Sequence, residues 1–239
     1  MSTLLETVEE FCELKALPVP TTVMGSQDAQ VVQIRALLQA GLRALSGRGA
    51  WERLINQAAW VTTNTESQGP ITTLAPNGYR YFLPATLWDR TEKLPLLGPT
   101  SPQDWQALKA IVVTGPRYSF RIRQGEFITT PAPPAGHDWV FEYVSKNFIL
   151  DEDTVTYKSI FDDDDDEILL PHDIVSADLL WRWKKEKGLS YAEDFNSCEA
   201  LIADALGRDG GSPVLDMGYH CGDGDILPGI WVPSGSWNV

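Results

Sequence analysis

Apolar residues change their spacing twice along this 239-residue chain, and those two changes limit its possible folds more than any other feature. Up to about residue 57 they recur every three or four positions, the period of a helix with one buried face. In LLETVEEFCEL, Leu4, Val8, Phe11 and Cys12 share such a face, with Leu5 and Leu14 beside them. Thr3 and Glu6 precede them in capping-box spacing, and Pro18 and Pro20 end the segment. A second helix is expected from about Ser26, with Val31, Ile34, Leu38, Leu42 and Leu45 in one stripe, stopped by SGRG at 46–49. WERLI, Trp51 to Ile55, reads as one further helical turn.

From about Ala58 the period falls to two. WVTTNTE, GYRYFLP, YSFRIRQGEFITT and WVFEYVSKNFIL are rich in aromatic and β-branched residues and bounded by Gly, Pro and Asn, which is a strand signature. Tyr118, Phe120 and Ile122 alternate with Ser119, Arg121 and Arg123, as in a sheet with one buried face. Gln124-Gly125 marks a hairpin turn, SPQDWQALKAI a short helix between strands, and PAPPAG at 131–136 a loop. Helical spacing returns after Pro171. DIVSADLLWRWKKEK carries Lys184, Lys185 and Lys187 near its C-terminal end, where cations complement the helix dipole, and Gly188 stops it. Ser190 and Glu193 form a second capping box, followed by a stripe of Tyr191, Phe195, Cys198, Ile202 and Ala205. Trp181 and Trp183, two apart, cannot share a helical face; one is expected in the core and the other at an interface.

Composition narrows the class. Hydrophobic residues make up 43% and include nine tryptophans, enough for real cores. A net charge of −14 disfavours nucleic-acid binding through clustered Lys and Arg. Cys12, Cys198 and Cys221 lack CxxC or zinc-ligand spacing, which suits a reducing compartment. Glu6, Glu9, Glu10 and Glu13 interrupt the apolar face of the first segment, unlike a signal peptide. No apolar run approaches the roughly 18–20 residues that span a bilayer. The expected protein is soluble and made in the cytoplasm. Residues 209–239 are Gly- and Pro-rich without helical period, yet hold Ile226, Pro228, Ile230, Trp231, Val232 and Trp237. That content suits an arm that docks on another surface.

Three passages resemble the head-to-tail adaptors of short-tailed bacteriophages, the group called tail tubular protein A or tail accessory factor. They are LLETVEEFCELKALPVPTTVMGSQDAQVVQIRALLQAGLRAL, then GYRYFLPATLWDR, then FEYVSKNFILDED followed after a spacer by LPHDIVSADLLWRWKKEKGLSYAEDF. The resemblance covers roughly residues 3–206 and rests on fold-defining motifs in order. It implies a ring of about twelve copies under the portal protein, carrying the tail tube or nozzle protein below, with double-stranded DNA passing through unbound. The virion's head-tail junction would be its place. Pattern and resemblance together give an expected α+β architecture. An antiparallel helical bundle is built from residues 1–57 and 161–208, with a β-rich domain at 58–160 inserted. An extended partner-binding arm follows at 209–239, using the six residues named above on the portal or a neighbouring subunit.

The run IFDDDDDEILLP places six acidic residues in series at Asp162–Glu167. In an extended chain successive side chains point to opposite sides, so such a run does not converge on an ion, and EF-hand spacing is absent. It is expected to be a solvated loop whose charge precedes the positive end of the 171–187 helix. No catalytic, cofactor-binding or metal-ligating residue is assigned. His137 sits at a loop-to-strand boundary as a surface imidazole, His172 in the first turn of a helix. His220, Cys221, Asp223 and Asp225 could at most bind a metal weakly. GxGxxG, the phosphate loop and GxSxG are missing. The reading from another class is a metal-assisted hydrolase using the acidic run and His172.

Overall fold

In a computed structural model of the chain, the described residues are 2–110, 117–153 and 155–209. Helices α1 (Leu4–Leu14) and α2 (Ala29–Leu45) lead through a 3-10 turn at Glu52–Leu54 to strands β1 (Ile55–Val61) and β2 (Ser67–Pro70). The short helix α3 (Ile71–Leu74), strands β3 (Tyr79–Phe82), β4 (Trp88–Asp89) and β5 (Leu94–Pro95), and helix α4 (Pro102–Ala110) follow. Next come β6 (Ser119–Arg123), β7 (Glu126–Thr130), β8 (Asp138–Ser145) and three two-residue strands, β9 (Ile149–Leu150), β10 (Tyr157–Lys158) and β11 (Glu167–Ile168). Helices α5 (His172–Glu186) and α6 (Ala192–Asp209) close the described chain. The fold is α+β with antiparallel ladders.

The chain forms two compact units. Among the described residues the first takes in 2–59, 70–83 and 141–209, and the second 60–69 and 84–140. The β-rich segment 58–160 is therefore divided between them, and β8 begins in the second unit and ends in the first. The arm at 209–239, with Ile226, Pro228, Ile230, Trp231, Val232 and Trp237, lies outside the described residues apart from Asp209.

In the first unit, the capping box at the start of α1 forms as its spacing predicts. Thr3 Oγ1 accepts the Glu6 N–H, and the Glu6 carboxylate accepts the Thr3 N–H. Leu4, Val8, Phe11 and Cys12 turn inward, as do Ile34, Leu38, Leu42 and Leu45 of α2. They share one core with Leu179 of α5 and Ile202 of α6. Trp51 is buried there too, its indole N–H donating to Leu45 O at 2.9 Å, so no polar atom is stranded. The C-terminal part of β8 pairs with β3, Phe82 opposite Tyr143, and Val144 joins the helical core. Each such fully buried apolar side chain contributes about 1.5–3 kcal/mol.

Aromatic packing builds the second unit. Phe120 of β6 and Phe127 of β7 stack at 5.3 Å, and Trp60 meets Phe127 and Trp139 edge-on at 5.2 and 5.9 Å. The β6–β7 hairpin turns at Gln124-Gly125, as the sequence predicts, both residues having positive φ (53° and 78°). That conformation matches the twist of the flanking strands. The alternation expected for YSFRIR is partial, since Ser119 is buried and Ile122 only half-buried. Leu97 pairs with Ser119 in an isolated parallel bridge at the edge of the strand.

Candidate functional site

Strand β9 pairs with both β10 and β11, so the acidic run between them must fold back on itself. The turn gathers carboxylates that an extended strand would spread apart. Asp166 is fully buried, and its Oδ2 accepts the N–H groups of Asp162 and Asp163 at 3.0 and 3.2 Å. Its Oδ1 lies 2.6 Å from the Lys158 ammonium, which also stands 2.5 Å from Asp151 Oδ1 and pairs with Asp162. One carboxylate oxygen each from Asp151, Asp162 and Asp166 falls within a 4.8 Å group. Burial of Lys158 alone would lower its pKa. The three carboxylates more than offset this and hold the amine charged well above the ordinary lysine value.

Asp164 points elsewhere. Its carboxylate accepts the Thr22 hydroxyl at 2.5 Å and the N–H groups of Val23 and Met24 at 3.0 and 2.7 Å, tying down the α1–α2 connection. The run's main chain completes α1, where the first N–H groups of a helix lack internal partners. Leu4 donates to Asp166 O at 2.9 Å and Leu5 to Asp164 O at 3.0 Å. Ile168 in turn donates to Ser2 O at 3.0 Å. The expected solvated loop is thus corrected. Asp162, Asp163 and Asp165 are exposed, but Asp164 is half-buried and Asp166 buried, because the turn brings donors and a cation to them. The helix start that the run meets is that of α1. Glu152, Asp163 and Asp165 make a second carboxylate group, all exposed.

The imidazole of His137 departs from the surface position expected for it. Its Nδ1 lies 2.7 Å from Oδ2 of Asp89, which is buried, and its own side chain is 13% exposed. The backbone N–H of His137 donates to Thr62 Oγ1, whose hydroxyl donates to Pro134 O. Burial acts to raise the Asp89 carboxyl. The Glu92 N–H, His137 and the Trp139 indole outweigh that and hold it below the usual carboxylate range. An ionised Asp89 can only accept, so His137 Nδ1 carries the proton. His172 does stand in the first turn of α5. Its Nδ1 meets Ser2 Oγ at 2.9 Å and its Nε2 meets Glu10 Oε2 at 2.6 Å. It belongs to neither carboxylate group, so the acidic run and His172 are not brought together.

Cys12 and Cys198 are buried free thiols. Burial, with help from Asp178 and Glu199, pushes Cys198 up to about 11, so it stays protonated. Trp181 and Trp183 are both half-buried. Trp181 packs on Phe195 of α6 at 5.2 Å and Trp183 on Phe11 of α1 at 5.9 Å, so each serves a different helix and neither is fully buried. The lysines at the end of α5 are used locally. Lys184 pairs with Asp194 at 2.6 Å, Lys185 lies over the Trp181 ring, and Lys187 reaches Gln33 at 2.9 Å. His220, Cys221, Asp223 and Asp225 lie outside the described residues.

Lys158 and Asp151, the central pair of the carboxylate site, escape a reading of the run alone. The available signal is that Lys158 is the one Lys or Arg between Lys146 and Arg182, within the most acidic part of the chain. Among the described residues no helix is long and apolar enough to cross a membrane. Compared with known proteins, the chain matches no family model and no curated relative.

Proposed function

We propose that this chain is a structural virion protein, a head-to-tail adaptor that forms a ring between portal and tail and contributes to the DNA channel. One observation carries the reading: residues of the three resembling passages, far apart in sequence, share a single core. Leu4, Val8 and Leu38 come from the first, Val144, Phe148, Leu179 and Cys198 from the third passage and the helix that it opens, and Tyr81 and Leu83 of the second pack against that core, half-buried. In this reading α1, α2, α5 and α6 form an antiparallel bundle that meets neighbouring copies and the portal. The β-rich part offers the surface on which the tail tube or nozzle protein assembles.

The geometry of the acidic run favours this role over the hydrolase. A metal-dependent hydrolase needs carboxylates aimed at a point where an ion and a water can sit, and here the Lys158 ammonium sits at that point. The net charge of −14 suits a channel that offers DNA few counterion-releasing contacts. The arm at 209–239 is the partner-binding element, with Trp231 and Trp237 as anchors and Ile226, Pro228, Ile230 and Val232 lining the contact. Deleting residues 209–239 should leave a folded protein that no longer binds portal rings. Trp231→Ala in the full chain should weaken portal binding by about 2 kcal/mol or more, the cost of losing a buried aromatic anchor. Portal binding by the truncated chain at full affinity would remove the arm from the account.

A further inference from the structure

We propose that Lys158 is the resident cation of a carboxylate site that would otherwise accept a divalent metal ion, and that this tethered cation holds the start of helix α1 on the acidic run. The inference does not depend on the adaptor reading. It rests on where the ammonium sits and on what the surrounding backbone does.

The ammonium stands 2.5 Å from Asp151 and 2.6 Å from Asp166 and is paired with Asp162. Calcium-oxygen bonds measure about 2.3–2.6 Å, so the nitrogen occupies the point at which these oxygens would hold a metal. Asp166 gives the cation its buried partner. It is fully buried, and its Oδ2 is satisfied by two N–H groups while its Oδ1 faces Lys158. An ionised carboxylate in that position without a counter-charge is strongly unfavourable. The position is also fixed in advance. Lys158 lies opposite Ile149 in the β9–β10 ladder, and Ile168 lies opposite the same residue in the β9–β11 ladder. The strands on either side of the acidic run are therefore both held by β9, level with the lysine.

Three carboxylates face one ammonium, and Asp153 adds a further negative charge within its field. Glu152 from the β9–β10 connection and Asp163 and Asp165 from the run make an exposed carboxylate group, and Arg35 acts on the run through Asp164. Removal of the Lys158 charge leaves a compact anionic group of the kind that binds calcium. It also releases the segment whose carbonyls at Asp164 and Asp166 accept the Leu5 and Leu4 N–H groups. The occupant of the site and the docking of α1 are in this way linked.

The test compares the full-length protein, Lys158→Met, and Lys158→Met combined with Asp151→Asn. Calcium binding is followed by calorimetry, thermal unfolding with and without CaCl2, and amide exchange at Leu4 and Leu5. Lys158→Met should unfold on the order of 10 °C lower without calcium and exchange the two amides faster. It should also bind calcium at least about tenfold more tightly than the parent chain, since affinity follows ligand charge, and Asp151→Asn should abolish that gain. Should Lys158→Met fail to fold without metal, refolding by CaCl2 but not by NaCl at equal ionic strength supports the proposal, and refolding by neither overturns it. Equal calcium affinity in parent and Lys158→Met chains also overturns it, as does unchanged exchange at Leu4 and Leu5.

Discussion

At the scale of single residues, Asp164 shows what a carboxylate in an acidic run can do when the backbone comes to meet it. Burial alone would raise its pKa. The Thr22 hydroxyl and the Met24 and Val23 N–H groups, with Arg35 nearby, outweigh that and hold the carboxyl below its usual range. Asp164→Ala leaves those donors unpaired and should cost about 1–3 kcal/mol in urea denaturation. The sign of the pH effect follows. A carboxyl whose folded pKa is depressed contributes stability that is complete above its unfolded pKa, about 3.9, and is lost as the pH falls through the folded value. Asp89 is depressed in the same direction. Stability should therefore drop on acidification below about pH 4, and the drop should be shallower in Asp164→Ala. An identical acid profile in the variant would show that Asp164 is not one of the groups responsible. Neither role was legible locally. The partners of Asp164 lie some 140 residues away, and Asp89 is 48 residues from His137, so a reading of adjacent residues sees only charge.

At the scale of elements, the helices were the most legible part. Thr3 and Glu6 close their capping box, and the α2 stripe from Val31 to Leu45 is buried as its spacing demands. Period and caps are local, and local rules suffice for them. The last helix was less legible. Cys198 and Ile202 are buried, but Tyr191 remains 38% exposed, since it packs beside Trp181 ahead of the helix. Contacts between helices also hinge on features without a sequence signal. Gly41 lies where α2 meets α5, and a Cβ there would stand 2.2 Å from Asp178 Oδ2. Asp178 cannot easily retreat, being held by Arg182 Nε at 2.6 Å and the Trp181 indole at 3.0 Å. Gly41→Ala should destabilise by about 1–3 kcal/mol through forced displacement of that network, although alanine is the better helix former. A stabilised Gly41→Ala variant in thermal denaturation would mean that the α2–α5 contact yields easily.

At the scale of the whole molecule, the sequence pattern conveys an α+β chain but not its division into two compact units. The division depends on β8, whose Val144 joins the helical core although its residues up to Val140 belong with the aromatic unit. A strand carries no local mark of such a change. In the adaptor reading the chain is a subunit with a well-packed helical core and an arm that becomes useful only against other proteins. The most direct measurement is the mass of the 239-residue chain in solution, by light scattering, with and without the portal ring that the adaptor reading pairs it with. The account predicts portal complexes carrying a ring of about twelve subunits, seen as rings by electron microscopy. A chain that stays monomeric and leaves the portal unbound would contradict it.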